Sequence, residues 1–258
     1  MTERKMPNFI IIGAMKAGTT TLYRAMLEHP QIVPAVTKEL HFLTKNGVTK
    51  EKYIILFNKC EKGQITGEAT PNYLWKPLAP KNAKKLIPET KFIALLRNPV
   101  YRTYSQYWGY LRKCKKRRKE PKFKTFNKYV KYLIHHPNNQ CRLGYVGRYG
   151  IQRSIYINQL EEWYKYFPKK QIMIIKSEDL FKDVNKITNE VFSFLGLSPC
   201  ELKVNYHFLD KKDLNKQFNI KTKKIGIKVK NELKEYFRPF NEKLYKLIDR
   251  DMNWEQEI

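Results

Sequence analysis

The sequence predicts an α/β fold, a central parallel sheet flanked by helices, in one domain spanning residues 1–258. Three observations predict it. Short apolar, β-branched runs read as strands buried on both faces, helical spacing follows them, and a glycine-bounded loop joins the first strand to its helix. The first run is Asn8-Phe9-Ile10-Ile11-Ile12. Gly13 to Gly18 breaks it, and Thr20 to Leu27 carries helical spacing until His29-Pro30. The second run is Lys91 to Leu96. Asn98 is placed to cap the next helix, and Pro99 takes its first position, where a missing N–H does no harm. That helix is expected from Pro99 to about Lys113. A third strand, Gln171 to Ile175, follows a helical Ser154 to Phe167 and precedes Ser177-Glu178-Asp179-Leu180. Helices are expected again over Asn185 to Leu195 and Val229 to Ile248. Two stretches lack such a pattern. Lys113 to Lys124 is a basic run that reads as a flexible loop, and Lys203 to Lys230 is polar and lysine-rich.

Composition supports a packed protein. Of 258 residues, 42% are apolar and 14% aromatic, enough for a sizeable core and too much for a disordered chain. The apolar runs fall well short of the ~20 residues that cross a bilayer. Thr2-Glu3-Arg4 leads almost directly into a strand with no apolar leader. The expectation is a cytoplasmic protein with no membrane span. Cys60, Cys114, Cys141 and Cys200 stand far apart, so neither a disulfide scaffold nor a metal site is expected. Lys and Arg number 51 against 24 Asp and Glu, a net charge of +27. A nucleic acid, an acidic surface or a phosphorylated cofactor would each suit that excess, and so would plain solvation.

Local clusters discriminate better. In an α/β sheet, ligands sit outside the carboxyl ends of the strands. After the first strand the chain reads Gly13-Ala14-Met15-Lys16-Ala17-Gly18-Thr19-Thr20-Thr21. Small residues let backbone N–H groups approach an anion, the following helix aims its positive end there, and Lys16 adds a cation. The loop is P-loop-like without being a nucleoside-triphosphate motif, because G-x-x-x-x-G-K-[ST] needs Lys where Thr19 stands. The second strand ends in Arg97 rather than a magnesium-holding Asp. An arginine there offers a bidentate fork to a phosphate. Together these residues point to a phosphorylated nucleotide bound without metal.

Lys16-Ala17-Gly18-Thr19-Thr20 resembles the 5′-phosphosulfate loop of the sulfotransferases that use 3′-phosphoadenosine-5′-phosphosulfate (PAPS). Arg97-Asn98-Pro99-Val100-Tyr101-Arg102-Thr103-Tyr104-Ser105 resembles their 3′-phosphate motif. Lys38-Glu39-Leu40-His41-Phe42 is similar to a segment of the heparan-sulfate-type branch and its bacterial relatives. Gln159 to Trp163, Phe167-Pro168 and Glu178 to Leu180 resemble the same branch. The resemblance implies sulfuryl transfer from PAPS, leaving adenosine 3′,5′-bisphosphate, to a hydroxyl or amine of a glycan or small molecule. It assigns Glu39 as base assisted by His41, and Lys16 to the charge that builds on the leaving group. It assigns Lys16, Ala17, Gly18, Thr19, Thr20, Thr21, Arg97 and Ser105 to PAPS, with Lys223 and Lys224, and Lys221 beside them, closing over the 3′-phosphate. No metal and no specific nucleic acid are implied. One departure concerns the acceptor. Relatives carry Lys after the Glu of an E-K-T-P segment, and here Ala69 follows Glu68.

Each residue also has a plainer reading. Lys38 and Glu39 could form an exposed ion pair, His41 could be a packing histidine, and Ser105 could bond back to its own helix. Glu68 is a second carboxylate candidate or a loop organiser. The rival function is a basic nucleic-acid-binding protein or a nucleotide kinase with a degenerate P-loop, motivated by the charge and the run from Lys113 to Lys124.

Overall fold

The computed structural model describes residues 2–136, 149–203 and 224–256. In chain order these hold β1 (Glu3–Arg4), β2 (Phe9–Gly13), α1 (Thr19–Met26), β3 (Ile32–Pro34), α2 (Lys50–Ile54), β4 (Lys59–Cys60), β5 (Ile65–Ala69), α3 (Leu78–Leu86) and β6 (Lys91–Leu96). There follow α4 (Pro99–Lys116), α5 (Phe126–His135), α6 (Tyr156–Tyr164), β7 (Ile172–Lys176), α7 (Ser177–Lys182), α8 (Val184–Leu195) and α9 (Ile227–Ile248). The chain divides into two compact units, Met1–Arg97 with Asn158–Tyr206 and Asn98–Ile157 with His207–Ile258.

The first unit is built on a five-stranded sheet in the order β3-β5-β2-β6-β7, with every pairing parallel. Phe9, Ile10, Ile11 and Ile12 of β2 are fully buried, which is why the strand reads as a continuous apolar run. β2 lies between β5 and β6, with Phe9 opposite Gly67 on one side and Lys91 on the other. A Cβ on Gly67 would stand 2.3 Å from the Phe9 carbonyl oxygen, so only glycine lets these two strands approach. Trp163 and Phe167 pack on Phe92, with ring centroids 4.9 and 4.5 Å apart. From β2 the chain goes to β3 and β5 on one flank, then to β6 and β7 on the other. The crevice between β2 and β6 is therefore the switch point, where the carboxyl ends of strands hold ligands.

In the second unit Asn98 caps α4 as expected, accepting from the Val100 N–H at 3.0 Å, with Pro99 at the first position. Arg102 is fully buried. It donates to Ser154 Oγ at 2.6 Å, to Gln106 Oε1 at 2.8 Å and to the Gly150 carbonyl. Tyr107 sits among Trp108, Phe126 and Tyr129 at centroid distances of 5.5, 5.5 and 5.3 Å.

The three expected strands and the helices after them are present, with β2 and β7 each one residue later than expected. The basic run departs from expectation. α4 continues through Lys116, because lysine and arginine favour helix and stabilise a helix C-terminus. Thr125 then caps α5, a helix the sequence pattern did not reveal.

Candidate active site

The loop after β2 is held from three sides. The Ala14 N–H donates to the Leu95 carbonyl of β6 at 2.7 Å, and the Ala17 N–H to the Ala14 carbonyl at 3.1 Å. Ser177, which opens α7 at the end of β7, donates its hydroxyl to the Ala17 carbonyl at 2.7 Å. Arg97 Nη1 donates to the Lys16 carbonyl at 3.2 Å. Lys16 and Gly18 both adopt left-handed backbone, at φ 74° and 99°. Phe181 of α7 lies beneath the loop. A Cβ on Gly18 would come within 2.9 Å of its ring, and the Arg97 guanidinium stands 5.2 Å from the ring centroid. Thr19 is buried, Thr21 partly so and Thr20 exposed.

The opening of α1 is electropositive. Gly18 provides no side-chain cap, and the first turn contains no acidic residue. The first-turn N–H groups of a helix have no partner within it, so Thr19, Thr20 and Thr21 present donors at the carboxyl edge of β2. Lys16 and Arg97 meet at the same edge. This fits the phosphate end of a nucleotide, a dianionic group for which such a helix terminus is a ready cradle.

The segment from Lys38 to Leu43 carries the second set of candidates. The carboxylate of Glu39, 43% exposed, meets Lys38 Nζ at 3.0 Å through Oε1 and His41 Nε2 at 3.4 Å through Oε2. The ion pair offered as the plainer reading therefore forms, and it engages one oxygen of the candidate base while His41 faces the other. Lys38 also donates to the Ala69 carbonyl at 3.4 Å. His41 is exposed, with left-handed backbone at φ 51°. It is not a packing histidine.

Glu68 takes the loop-organising one of its two readings, and does so from a fully buried place on β5. Tyr53 and Tyr73 donate their hydroxyls to its Oε1, each at 2.8 Å. Thr70 Oγ1 and the Leu40 N–H, at 3.2 Å, donate to its Oε2. Burial raises its pKa and outweighs the four hydrogen bonds, which lower it. The sequence reading gave no role to Tyr53, Thr70, Tyr73, Ser177 or Phe181. Thr70 and Tyr73 follow Glu68 closely in the chain, and that proximity was the available signal.

Ser105 lies half-buried on α4 in the second unit. Lys224, exposed, lines an aromatic groove of that unit together with Tyr104, Tyr107, Trp108 and Phe126. Lys221 and Lys223 lie outside the described residues, as does Cys141. Among the described residues no helix is long and apolar enough to cross a membrane, and no group of three or more His, Cys, Asp or Glu could hold a metal ion.

A family model described as a sulfotransferase domain matches residues 6–249. Heparan sulfate glucosamine 3-O-sulfotransferase 3B1 of Mus musculus is 30% identical over 271 residues, 98% of this chain and 66% of its own length. Heparan sulfate glucosamine 3-O-sulfotransferase 5 of Mus musculus is 30% identical over 268 residues, 97% of this chain and 75% of its own length. The chain thus spans just under two thirds of the first relative. Among solved structures, a sulfotransferase from Alicyclobacillus acidocaldarius superposes with a TM-score of 0.79 at 23% identity, covering 98% of this chain and 100% of that one. That likeness is one of fold.

Proposed function

Because this chain belongs to the sulfotransferase-domain family, we propose that it transfers a sulfuryl group from PAPS to a hydroxyl or amine of a carbohydrate acceptor, with Glu39 as base. The observation that carries the reading is the edge between β2 and β6, where an uncapped helix N-terminus, Lys16 and Arg97 lie together. The carbohydrate class is supported by the two mouse relatives, whose names specify glucosamine of heparan sulfate. Ala69, where the heparan-type segment has Lys, argues for an acceptor contacted differently at that point.

PAPS, when bound, supplies a sulfuryl group on a phosphate leaving group. Lys16 and the N–H groups of Thr19 to Thr21 would hold its 5′ end. Arg97 would hold the 3′-phosphate, with Ser105 expected as a second donor. Lys16 also opposes the negative charge that grows on the leaving oxygen, a contribution worth most where it is already in place. Glu39 takes the proton of the acceptor, and Lys38 and His41 fix which way its oxygens face. No step requires Glu68 to give up or accept a proton.

Calorimetric titration with adenosine 3′,5′-bisphosphate in EDTA tests the reading. Wild type should bind, and Lys16→Ala and Arg97→Ala should each weaken binding by about tenfold to a hundredfold, as expected for a lost charge-assisted hydrogen bond. Failure of the wild type to bind, with ATP and magnesium binding instead, would put the kinase reading first. Steeply salt-dependent RNA or DNA binding that ignores Lys16→Ala would favour the nucleic-acid reading.

A further inference from the structure

We propose that Glu68 is a positioning residue for this transfer: one buried carboxylate fixes the backbone of Leu40 to Leu43 and, through it, the aim of Glu39 and His41. The inference rests on the functional reading above, in which Glu39 is the base. It concerns a residue that touches neither Glu39 nor His41 through its own side chain in the contacts described.

Four successive backbone N–H groups lead back to this one carboxylate. Leu40 donates to Glu68 Oε2 directly, at 3.2 Å. His41 donates at 3.3 Å to Thr70 Oγ1, which itself donates to Oε2. Phe42 and Leu43 donate at 2.8 and 3.3 Å to the Tyr73 hydroxyl, which donates to Oε1. The Thr70 and Tyr73 hydroxyls both turn their protons toward Glu68, which leaves their lone pairs facing the N–H groups of the segment. A glutamine at this position would set an NH₂ group among donors and reverse at least one of these bonds.

Two further contacts tie the segment to the same support. The Ala69 N–H donates to the Lys38 carbonyl at 2.9 Å. The Tyr53 ring stacks on Phe42 at 4.6 Å and 2°, while its hydroxyl completes the pair on Oε1. Glu68 itself is carried by β5, a strand inside the sheet. The exposed Glu39 carboxylate is in this way referred to an interior strand of the sheet, the kind of support a catalytic group on a short irregular segment requires. The left-handed backbone of His41 is held in place by the same bonds.

Removing one hydroxyl at a time tests this without emptying the core. Thr70→Val keeps the shape of the side chain, Thr70→Ser restores the hydroxyl, and Tyr73→Phe removes the other relay. Residue-resolved amide hydrogen exchange is measured together with ³⁵S transfer from PAPS to heparan sulfate, used as the probe acceptor. Turnover is counted per site that binds adenosine 3′,5′-bisphosphate, so a merely less stable protein does not register as a slower one. Thr70→Val should speed exchange at His41 and leave Leu40 protected, and Tyr73→Phe should act on Phe42 and Leu43. In both, kcat should fall on the order of 10- to 100-fold, the scale of a misplaced catalytic group, with KM for PAPS nearly unchanged. Thr70→Ser should recover exchange and kcat together. Unaltered exchange at His41, an unaltered kcat, or a loss that Thr70→Ser fails to rescue would overturn the proposal. Absence of transfer by the wild type would instead remove the functional reading and the catalytic consequence with it, while the exchange pattern still decides whether the clamp exists.

Discussion

Glu68 carries an acid where burial opposes its charge, and this has a consequence for stability that is separate from catalysis. Its folded-state pKa is raised by desolvation, against the pull of its hydrogen bonds. The folded protein therefore holds this proton more tightly than the unfolded chain. The stabilisation is present in full below the ordinary carboxylate range, is lost as pH rises through the raised value, and is constant above it. Urea unfolding across that window should show wild type losing stability relative to Glu68→Gln, whose side chain does not titrate. Parallel curves for the two proteins would mean the carboxyl titrates normally. At this scale the sequence was informative where the proposed function rests on a short local pattern. Lys16 sits in a nine-residue glycine–threonine loop and Arg97 closes an apolar run, so both could be picked out by eye. Phe181 and Ser177 could not, because they reach the loop after Ala17 only through the fold of a distant helix. Glu68 was visible as a carboxylate, but its burial depends on hydroxyls from Tyr53 and Tyr73 that only the closed structure gathers.

Elements were legible in proportion to their length and the purity of their periodicity. β2 and β6 are buried on both faces and announce themselves as unbroken apolar runs. β5 holds the sequence Ile-Thr-Gly-Glu-Ala, in which a glycine demanded by packing and a buried carboxylate erase the strand pattern. β3 is three residues long, too short for any period. α4 was legible at its start, where Asn98 and Pro99 give a cap and a first turn, and not at its end, where lysines extend it into the basic run. Asn98 also donates from Nδ2 to the Trp254 carbonyl at 3.3 Å, so it joins the head of α4 to the chain beyond α9. Asn98→Ala is expected to cost about 0.5–2 kcal/mol through the lost cap, read as a lower thermal midpoint. An unchanged midpoint would show that Pro99 alone suffices to start the helix.

For the whole molecule the charge of +27 was a weak guide. It allowed a polyanion partner as readily as a phosphorylated donor, and the proposal of a donor rests instead on the family match and on the sheet edge where Arg97 meets the Lys16 carbonyl. The sheet itself carries a different implication, for how the molecule is made. β2 pairs with β5 and β6, both far downstream, and β6 is paired on its outer side by β7 only after the whole stretch from Asn98 to Ile157 has been added. Parallel pairing over such separations is slow, since loop closure must be met before any contact rewards it. Dilution from denaturant should give slow recovery of nucleotide binding and a yield that declines as protein concentration rises. Fast, concentration-independent recovery would contradict this. In a cell, the apolar run from Phe9 to Ile12 leaves the ribosome ahead of β5 and β6, the strands that flank it, and waits for them to cover it. The strand that carries the loop from Gly13 to Gly18 is thus a part of the newborn chain that a chaperone would shield.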